Sequence, residues 1–225
     1  MGKKQLASRV ALCLVVSFVA MSVHAEEFET AKPGFIMGLG LVRHGFAEAD
    51  KLREGSSTIS SDDEIKTLNG IELYGEYFIK DDIALGTKKQ VLGGGVEYSG
   101  PDYTLERFVE LNNYILYFNL LQKIGSGFWR LGFTGGFGRS QYIYSEKRSC
   151  DAGAQSCADG KTEVTSTGSI MILGFVADWG EDGAGGRLGV SSAAAKHPKT
   201  ENSAGREFRA DASGSQMYAD FRYAF

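Results

Sequence analysis

The sequence predicts an all-β fold in which eight antiparallel strands close into an up-and-down barrel that spans a membrane. Three observations lead to this prediction. Glycine contributes 30 of the 225 residues and aromatic residues contribute 12%, a composition typical of curved and closed sheets. Eight segments alternate apolar and polar side chains with the period of two that marks a β-strand. The connections between these segments alternate between long and short.

The N-terminal residues form a separate segment. Three basic residues precede an apolar run from Val10 to Val23, and the small residue Ala25 follows shortly after. This order is typical of a secretory signal peptide. We therefore expect residues 1–25 to be removed on export, which leaves residues 26–225 as the barrel domain.

Four strand segments lie in the first half of the exported chain. In the first, four apolar side chains share one face and glycines occupy the other. In the second, apolar residues alternate with Glu72 and Glu76. The third is ambiguous in phase, and its triple glycine at 93–95 predicts a bulge or a bend. The four segments are Gly34–Arg43, Thr67–Ile79, Ile83–Tyr98 and Asn112–Lys123.

The second half of the chain carries four more segments. The fifth has aromatic and aliphatic residues on one face and Arg130 with glycines on the other. The alternation of the sixth is blurred, because both of its faces are apolar. The seventh is short and rich in alanine, so its signal is the weakest. The four segments are Phe128–Glu146, Val164–Trp179, Arg187–Ala195 and the C-terminal stretch from about Ser215 to Phe225.

The connections predict how the barrel lies in the membrane. Short turns facing the periplasm and longer loops facing outward are typical of bacterial outer-membrane barrels. Both chain ends then lie on the short-turn side. A secreted soluble sandwich or a lipocalin-like barrel would also have strands in which apolar and polar residues alternate. Neither fold explains why long and short connections alternate along the chain. The long connections are 44–66, 99–111, 147–163 and 196–214, and the short ones are 80–82, 125–127 and 180–186.

Composition excludes other classes of protein. The exported chain has 21 basic residues, because three of the 24 lie in the signal segment, and it keeps all 28 acidic ones, so its formal charge is 21 − 28 = −7. This balance argues against a general nucleic-acid partner. No exported stretch is apolar for the roughly 18 consecutive residues that a membrane helix needs. Cys150 and Cys157 remain in one polar segment, and in an exported protein we expect them to form a disulfide. We expect no cofactor and no metal.

The last nine residues, MYADFRYAF, place Met217, Ala219, Phe221, Tyr223 and Phe225 at alternate positions. This pattern resembles the C-terminal signature of outer-membrane β-barrel proteins, whose last strand ends in an aromatic residue. With the eight segments, the exported chain resembles the small barrels of the OmpA/OmpX-like superfamily. The resemblance implies recognition of the last strand by the barrel-assembly machinery of a diderm bacterium, with lipid and lipopolysaccharide around the barrel. The separate periplasmic domain of full OmpA-type proteins is not expected.

An eight-stranded barrel has an interior just wide enough for side chains to fill it. We therefore expect the inward-facing charged residues to pair with one another, because an isolated buried charge is costly. These residues would either stabilise the barrel or gate a narrow path for solutes. The predicted interior residues are Glu72, Glu76, Arg130, Asp220 and Arg222.

The sequence favours a structural or surface-interaction role, adhesin-like, over an enzyme, and it leaves a narrow pore as an alternative. The less favoured alternative is an enzyme that modifies lipid A at the rim of the barrel. Such chemistry would need a nucleophile beside a base. His44 and His197 are the histidines of the exported chain, and Glu201 and Ser203 follow His197 in a polar run. Loop histidines are usually only solvated, so we expect no catalytic residue, and the long loops are the expected site for an extracellular ligand.

Overall fold

The computed structural model describes residues 34–47, 53–54, 57–58, 65–80, 82–125, 129–151, 157–180, 183–201 and 207–225. The predicted signal peptide, residues 1–25, lies outside these described residues. Within the described part of the chain, no helix is long and apolar enough to cross a membrane.

Eight of the twelve strands close into an antiparallel barrel, in the order β1-β12-β9-β8-β7-β6-β5-β4. The remaining four short strands pair in a separate sheet, β10-β11-β2-β3, built from two of the long connections. The predicted fold class is therefore confirmed. The strands are β1 (Phe35–Phe46), β2 (Arg53–Glu54), β3 (Ser57–Thr58), β4 (Thr67–Lys80), β5 (Ile83–Ser99), β6 (Tyr103–Lys123), β7 (Trp129–Cys150), β8 (Gly160–Trp179), β9 (Gly183–Lys196), β10 (Thr200–Glu201), β11 (Glu207–Arg209) and β12 (Gly214–Ala224).

The outer wall of the barrel is apolar, and its residues come from the outward-facing positions of each strand. Leu41, Phe137 and Phe221 are each more than 60% exposed although they are large and apolar. A ring of such side chains has no protein partner, and hydrocarbon is the solvent that suits it. Aromatic pairs lie at the short-turn end, where Trp129 and Trp179 have ring centroids 5.3 Å apart. The inward-facing positions of the same strands are buried.

The last strand closes the ring against the first. β12 pairs with β1 from Ala224 opposite Ile36 to Gly214 opposite Phe46. The backbone N–H of Phe225 also donates to the carbonyl of Phe35 at 2.9 Å. Closure removes the free edges that would otherwise leave backbone groups without partners in hydrocarbon.

All four of the predicted long connections are partly strand, and the connection 44–66 contains β2 and β3. β6 begins at Tyr103, within the predicted loop 99–111, and β7 and β8 extend to Cys150 and from Gly160 into the predicted loop 147–163. The loop 196–214 likewise contains β10 and β11. The prediction was wrong here because the outward positions of these segments are mostly polar, as at Thr104, Glu106 and Glu110, although Leu105 and Val109 are buried. They lie beyond the apolar wall, so they lack the alternation by which strands were recognised.

The triple glycine is not a bulge. Pairing between β5 and β6 continues without a register shift through Gly93, Gly94 and Gly95. The ring of Phe108 lies over the outward positions, where an added Cβ at Gly93 would approach Phe108 Cζ to 2.9 Å. These glycines therefore make room for an aromatic ring of the neighbouring strand. The register shift that the structure does show lies at the end of β4, between Phe78 and Lys80.

Two glycines of β1 differ in the space around them, which gives a matched test. A Cβ at Gly40 would collide with the Asp220 carboxylate and with backbone atoms of β12, whereas at Gly45 the nearest atom is Ser215 Oγ at 3.6 Å. We expect Gly40→Ala to destabilise the barrel by about 2 kcal/mol or more, the usual scale for overpacking. Gly45→Ala should leave stability nearly unchanged. Urea unfolding in lipid vesicles measures both, and equal effects would contradict the close packing over Gly40.

Candidate functional site

The polar interior follows one row of facing residues around the inside of the barrel. Gly40 of β1 lies opposite Asp220 on one side and opposite Glu72 on the other. Because the strands of a closed barrel are tilted, such a row climbs around the wall rather than encircling it at one level. From the short-turn end upward the row is Arg130, Asp178, Arg187, Asp220, Gly40, Glu72, Gln90, Asn113 and Ser140.

An ion pair between Glu76 of β4 and Arg187 of β9 crosses the lumen. Both guanidinium Nη atoms donate to the carboxylate, with Nη1 at 3.0 Å from Oε2. The Tyr117 hydroxyl and the Asn119 amide donate to Oε2 as well, at 2.9 and 3.0 Å. The guanidinium carbon of Arg187 lies 4.7 Å from the centroid of the Tyr74 ring. This carboxylate is therefore held by donors from β9 and from β6 and has little freedom.

Arg222 and Asp178 close the interior at the short-turn end. Arg222 Nε lies 2.8 Å from Asp178 Oδ1. The same guanidinium donates to the carbonyl of Trp179 at 3.2 Å and to the carbonyl of Gly180. Arg187 Nη2 approaches the other oxygen of Asp178 at 3.8 Å. Asp178 thus links the two guanidinium groups, and Arg222 ties β12 to the turn that follows β8.

A second cluster surrounds Glu72. Lys88 Nζ lies 3.3 Å from Glu72 Oε2, and Gln90 Nε2 donates to the same oxygen at 2.7 Å. Gln90 in turn accepts from Asn113 at 3.1 Å. Lys88 also lies 4.7 Å from the ring centroid of Tyr218. The carboxylate of Asp220, by contrast, has no hydrogen-bond partner among the described residues.

The structure brings together four of the five predicted interior residues. Glu72, Glu76, Asp220 and Arg222 all face inward and are buried. Arg130 lies at the end of β7, half-buried, with its guanidinium carbon 5.1 Å from the centroid of the Phe78 ring.

Three charged residues of the interior were missed by the sequence analysis. Arg187 is in the segment with the weakest strand signal, Asp178 is in the blurred sixth segment, and Lys88 is in the segment with ambiguous phase. To assign these side chains to the lumen, one must know which alternate positions of the strand face inward. The alternation of apolar and polar residues in these three segments is too weak to show that.

The upper half of the lumen is mainly apolar and is covered by the β9–β12 connection. Phe208 of β11 is buried and lies against Tyr144, with ring centroids 5.7 Å apart. His197 Nε2 lies 3.1 Å from Ser140 Oγ, and its ring is 5.5 Å from that of Tyr142. Side chains of the connection therefore fill the mouth of the barrel.

The Ser140–His197 pair lacks the features of a catalytic site. Ser140 has 0% exposure, so a substrate has no access to its hydroxyl, and His197 Nδ1 has no hydrogen-bond partner within the described residues. A nucleophile needs a base that is in turn oriented by a third group. Glu201 is exposed and Ser203 lies outside the described residues. Among the residues described, no three His, Cys, Asp or Glu side chains are grouped to hold a metal ion.

The other predicted residues are placed as follows. Cys150 and Cys157 form a disulfide with Cα atoms 5.8 Å apart, at the tip of the β7–β8 connection. Phe221, Tyr223 and Phe225 point outward and are exposed. His44 is buried inside the barrel, close to the end of β1.

The contribution of the Glu76–Arg187 ion pair to stability can be tested by comparing Arg187 with Arg130, a charged residue at the end of the barrel. Arg187→Ala leaves Glu76 buried without its partner, and we expect a loss of about 3–5 kcal/mol in the free energy of unfolding. Arg130→Ala removes a half-buried side chain and should cost less than about 1 kcal/mol. The double variant Glu76→Gln/Arg187→Met should recover much of the loss. Unfolding in urea measures the three variants, and an Arg187→Ala effect no larger than that of Arg130→Ala would contradict this assignment.

His197, which follows the last residue of β9, gives a pH dependence to the cover of the lumen. Burial lowers the pKa of His197 to about 4, and the nearby Asp211 opposes this shift only in part. In the unfolded or opened segment, the pKa of the His197 imidazole is near 6.5. The closed connection is therefore most stable above pH 6.5, and it loses stability as the pH falls toward 4. We expect hydrogen exchange of residues 197–201 and 207–213 at pH 5 to exceed that at pH 7 by roughly tenfold after correction for intrinsic rates. His197→Gln should reduce this excess, and an unchanged excess would contradict the assignment to His197.

Comparison with known proteins finds similarity only at the level of fold. No protein-family model matches the sequence, and no curated protein matches it. OprG from Pseudomonas aeruginosa is 13% identical, with a TM-score of 0.49 over 88% of this chain and 97% of that chain. Ail of Yersinia pestis, in complex with the heparin analogue sucrose octasulfate, is 11% identical, with a TM-score of 0.47 over 86% of this chain and 100% of that chain. Neisserial surface protein A is 12% identical, with a TM-score of 0.37 over 85% and 97%.

The identification of the protein class rests on the molecule itself. Its strands form a closed ring, its outer wall is apolar, and its charged residues are buried inside. A closed ring of this kind satisfies every strand backbone without water, as a span in hydrocarbon requires. The described residues form a membrane-spanning β-barrel, a fold similar to that of the outer-membrane protein OprG.

Proposed function

We propose that the protein is a non-conducting scaffold that presents a rigid sheet for interactions at the cell surface. The observation that carries this proposal is the unequal length of its strands. β6, β7 and β8 have 21, 22 and 20 residues, whereas β1 and β12 have 12 and 11. Because the apolar wall has one height, the additional residues of the long strands project beyond it. With long connections outside, the projection faces the medium.

We call this projection the wing. It begins at the row in which Gly94, Val109, Tyr144 and Val164 face one another, beyond the last partners that β4 and β9 provide. Pairing continues without interruption to the tip, where Tyr103 lies opposite Cys150 and the disulfide joins β7 to the residues before β8. The wing comprises Gly94–Ser99, Tyr103–Val109, Tyr144–Cys150 and Gly160–Val164.

The wing is packed on one face and free on the other. On the packed face, Arg107 Nε lies 3.0 Å from Glu146 and the Tyr144 hydroxyl donates to the same carboxylate at 2.8 Å. The free face exposes Phe108 together with ion pairs such as Lys147–Glu106, at 3.8 Å. Exposed pairs of this kind add little stability. An exposed aromatic side chain on a rigid support is typical of a recognition surface.

The side chains that fill the lumen favour a scaffold function rather than a pore function. Along the barrel axis the interior holds the Arg222–Asp178 pair, the Glu76–Arg187 pair and the Glu72 cluster, and Phe208 lies above them. These paired groups occupy the interior at successive levels of the barrel, which supports a closed lumen. A conducting form would have to break several of these contacts together.

Shortening the wing tests the proposal. Residues 97–106 and 146–162 are each replaced by Asn-Gly, a turn suited to two facing strands, so that Val96 stays opposite Arg107 and Ser145 opposite Glu163. Cells that display the full chain should bind to at least one surface in a panel of immobilised matrix proteins and sulfated polysaccharide. The shortened variant should lose this binding while it keeps the heat-dependent gel migration of a folded barrel.

Two outcomes would contradict the proposal. One is equal binding by the full and the shortened chains, which would place recognition elsewhere. The other is a steady conductance of the full chain in planar bilayers, which would show an open lumen. A large-pore porin in the same bilayers provides the positive control for that measurement.

A further inference from the structure

A lysine lies in the apolar wall of the barrel, where a charge is costly. Lys89 of β5 faces outward between Leu73 of β4 and Tyr114 of β6, and Thr87 and Val91 are its outward neighbours along the strand. A lysine facing lipid costs about 2–4 kcal/mol at the midplane and about 0–1 kcal/mol near the interface. The side chain can reduce this cost by extending toward the interface or by meeting an anion there.

A groove in the wall lies directly beside this lysine. Its volume is about 440 Å³, and its outward-facing lining consists of Lys89 itself together with Met37, Leu73, Gly75, Thr87, Leu116 and Tyr114. The small residues Gly75 and Thr87 face each other on β4 and β5, and larger side chains stand on both sides. Apart from Lys89 and Thr87, the outward-facing lining of the groove carries no polar side chain other than the Tyr114 hydroxyl, so the groove offers apolar surface that an acyl chain could cover.

A second cation lies on the other side of Tyr114. Arg139 of β7 is directly opposite Tyr114, faces outward and is exposed. Lys89 and Arg139 are two strand spacings apart, about 10 Å between Cα atoms, and both side chains are long enough to meet above the tyrosine ring. Lys89 Nζ already lies 5.2 Å from the centroid of that ring. The ion pairs among the described residues involve neither cation.

The position of these cations indicates the leaflet. The row that contains Lys89, Tyr114 and Arg139 continues to Ser169 and Lys196, and Lys196 is the last residue of β9 at the long-connection end. The row therefore climbs toward the cell surface, and the groove extends downward from the cations into the wall. A ligand that fits has an anionic group above and an acyl chain below.

We propose that Lys89 and Arg139 bind a phosphate of lipid A, with one of its acyl chains in the groove. Phosphate pairs well with an ammonium and a guanidinium group together, because each donates a charge-assisted hydrogen bond. Lipid A combines phosphate with acyl chains in the outer leaflet, where the two cations lie. This site is on the membrane-facing wall and is independent of the wing.

Native mass spectrometry of the full chain in detergent tests the site, with purified bisphosphorylated lipid A as the probe. We expect Lys89→Gln and Arg139→Gln each to weaken binding by about tenfold, the scale of one charge-assisted hydrogen bond. Lys196→Gln removes an outward-facing cation that lies four strands from Lys89 and two from Arg139 and does not border the groove, so it should change binding less than about twofold. Thr87→Phe should also weaken binding, because the ring fills the groove while it points into lipid. Heat-dependent gel migration establishes that each variant is folded.

Three results would overturn the proposal. Equal losses in Lys89→Gln and Lys196→Gln would show attraction to basic charge in general. Binding of dephosphorylated lipid A as tight as that of the phosphorylated form would exclude the phosphate contact. Phosphatidylglycerol that binds as well as lipid A, with the same sensitivity to Lys89→Gln, would identify the groove as a phospholipid site instead.

Discussion

The ion pair between Glu76 and Arg187 is the interaction on which the interior of this barrel depends. It joins β4 to β9, which are separated in the ring by β1 and β12, so it fixes the distance across the lumen. Both side chains are almost wholly removed from solvent, and unpaired charges there would be very costly. Donors from Tyr117 and Asn119 complete the shell of Glu76, and Asp178 shares Arg187 with it. These surroundings satisfy the Glu76 carboxylate, whereas Arg187 Nε has no hydrogen-bond partner among the described residues.

Glycines of the first strand make this interior possible. Gly38 and Gly40 face the lumen between two strands that carry large side chains. The ring of Tyr74 lies over Gly38, and the carboxylate of Asp220 lies over Gly40. A side chain at either position would occupy the volume in which these groups converge. The high glycine content thus serves packing inside the barrel as well as the curvature of its sheet.

Alternation identified some parts of the site and could not identify others. Glu72 and Glu76 were assigned to the lumen because their strand has one apolar face, and Asp220 and Arg222 followed in the same way. Arg187 and Asp178 were missed because their segments carry alanine, glycine or apolar residues on both faces. The wing was mistaken for loops because strands in water need no apolar face. In both cases, pairing with neighbouring strands set the strand conformation and the direction of the side chains, which the local sequence pattern did not show.

Alternation in the amino-acid sequence was enough to predict the outward face of most strands, the membrane-spanning barrel and the closing position of the last strand, because a period of two is a local property of each segment. Only the folded barrel shows which charges meet, which side chains fill the mouth, and how far β6 to β8 project. These features depend on register between strands distant in sequence, and in a closed ring the stagger of every pair adds to the next. Arg187 and Glu76 are 111 residues apart, and they meet only when all the strand pairs of the closed ring are in register.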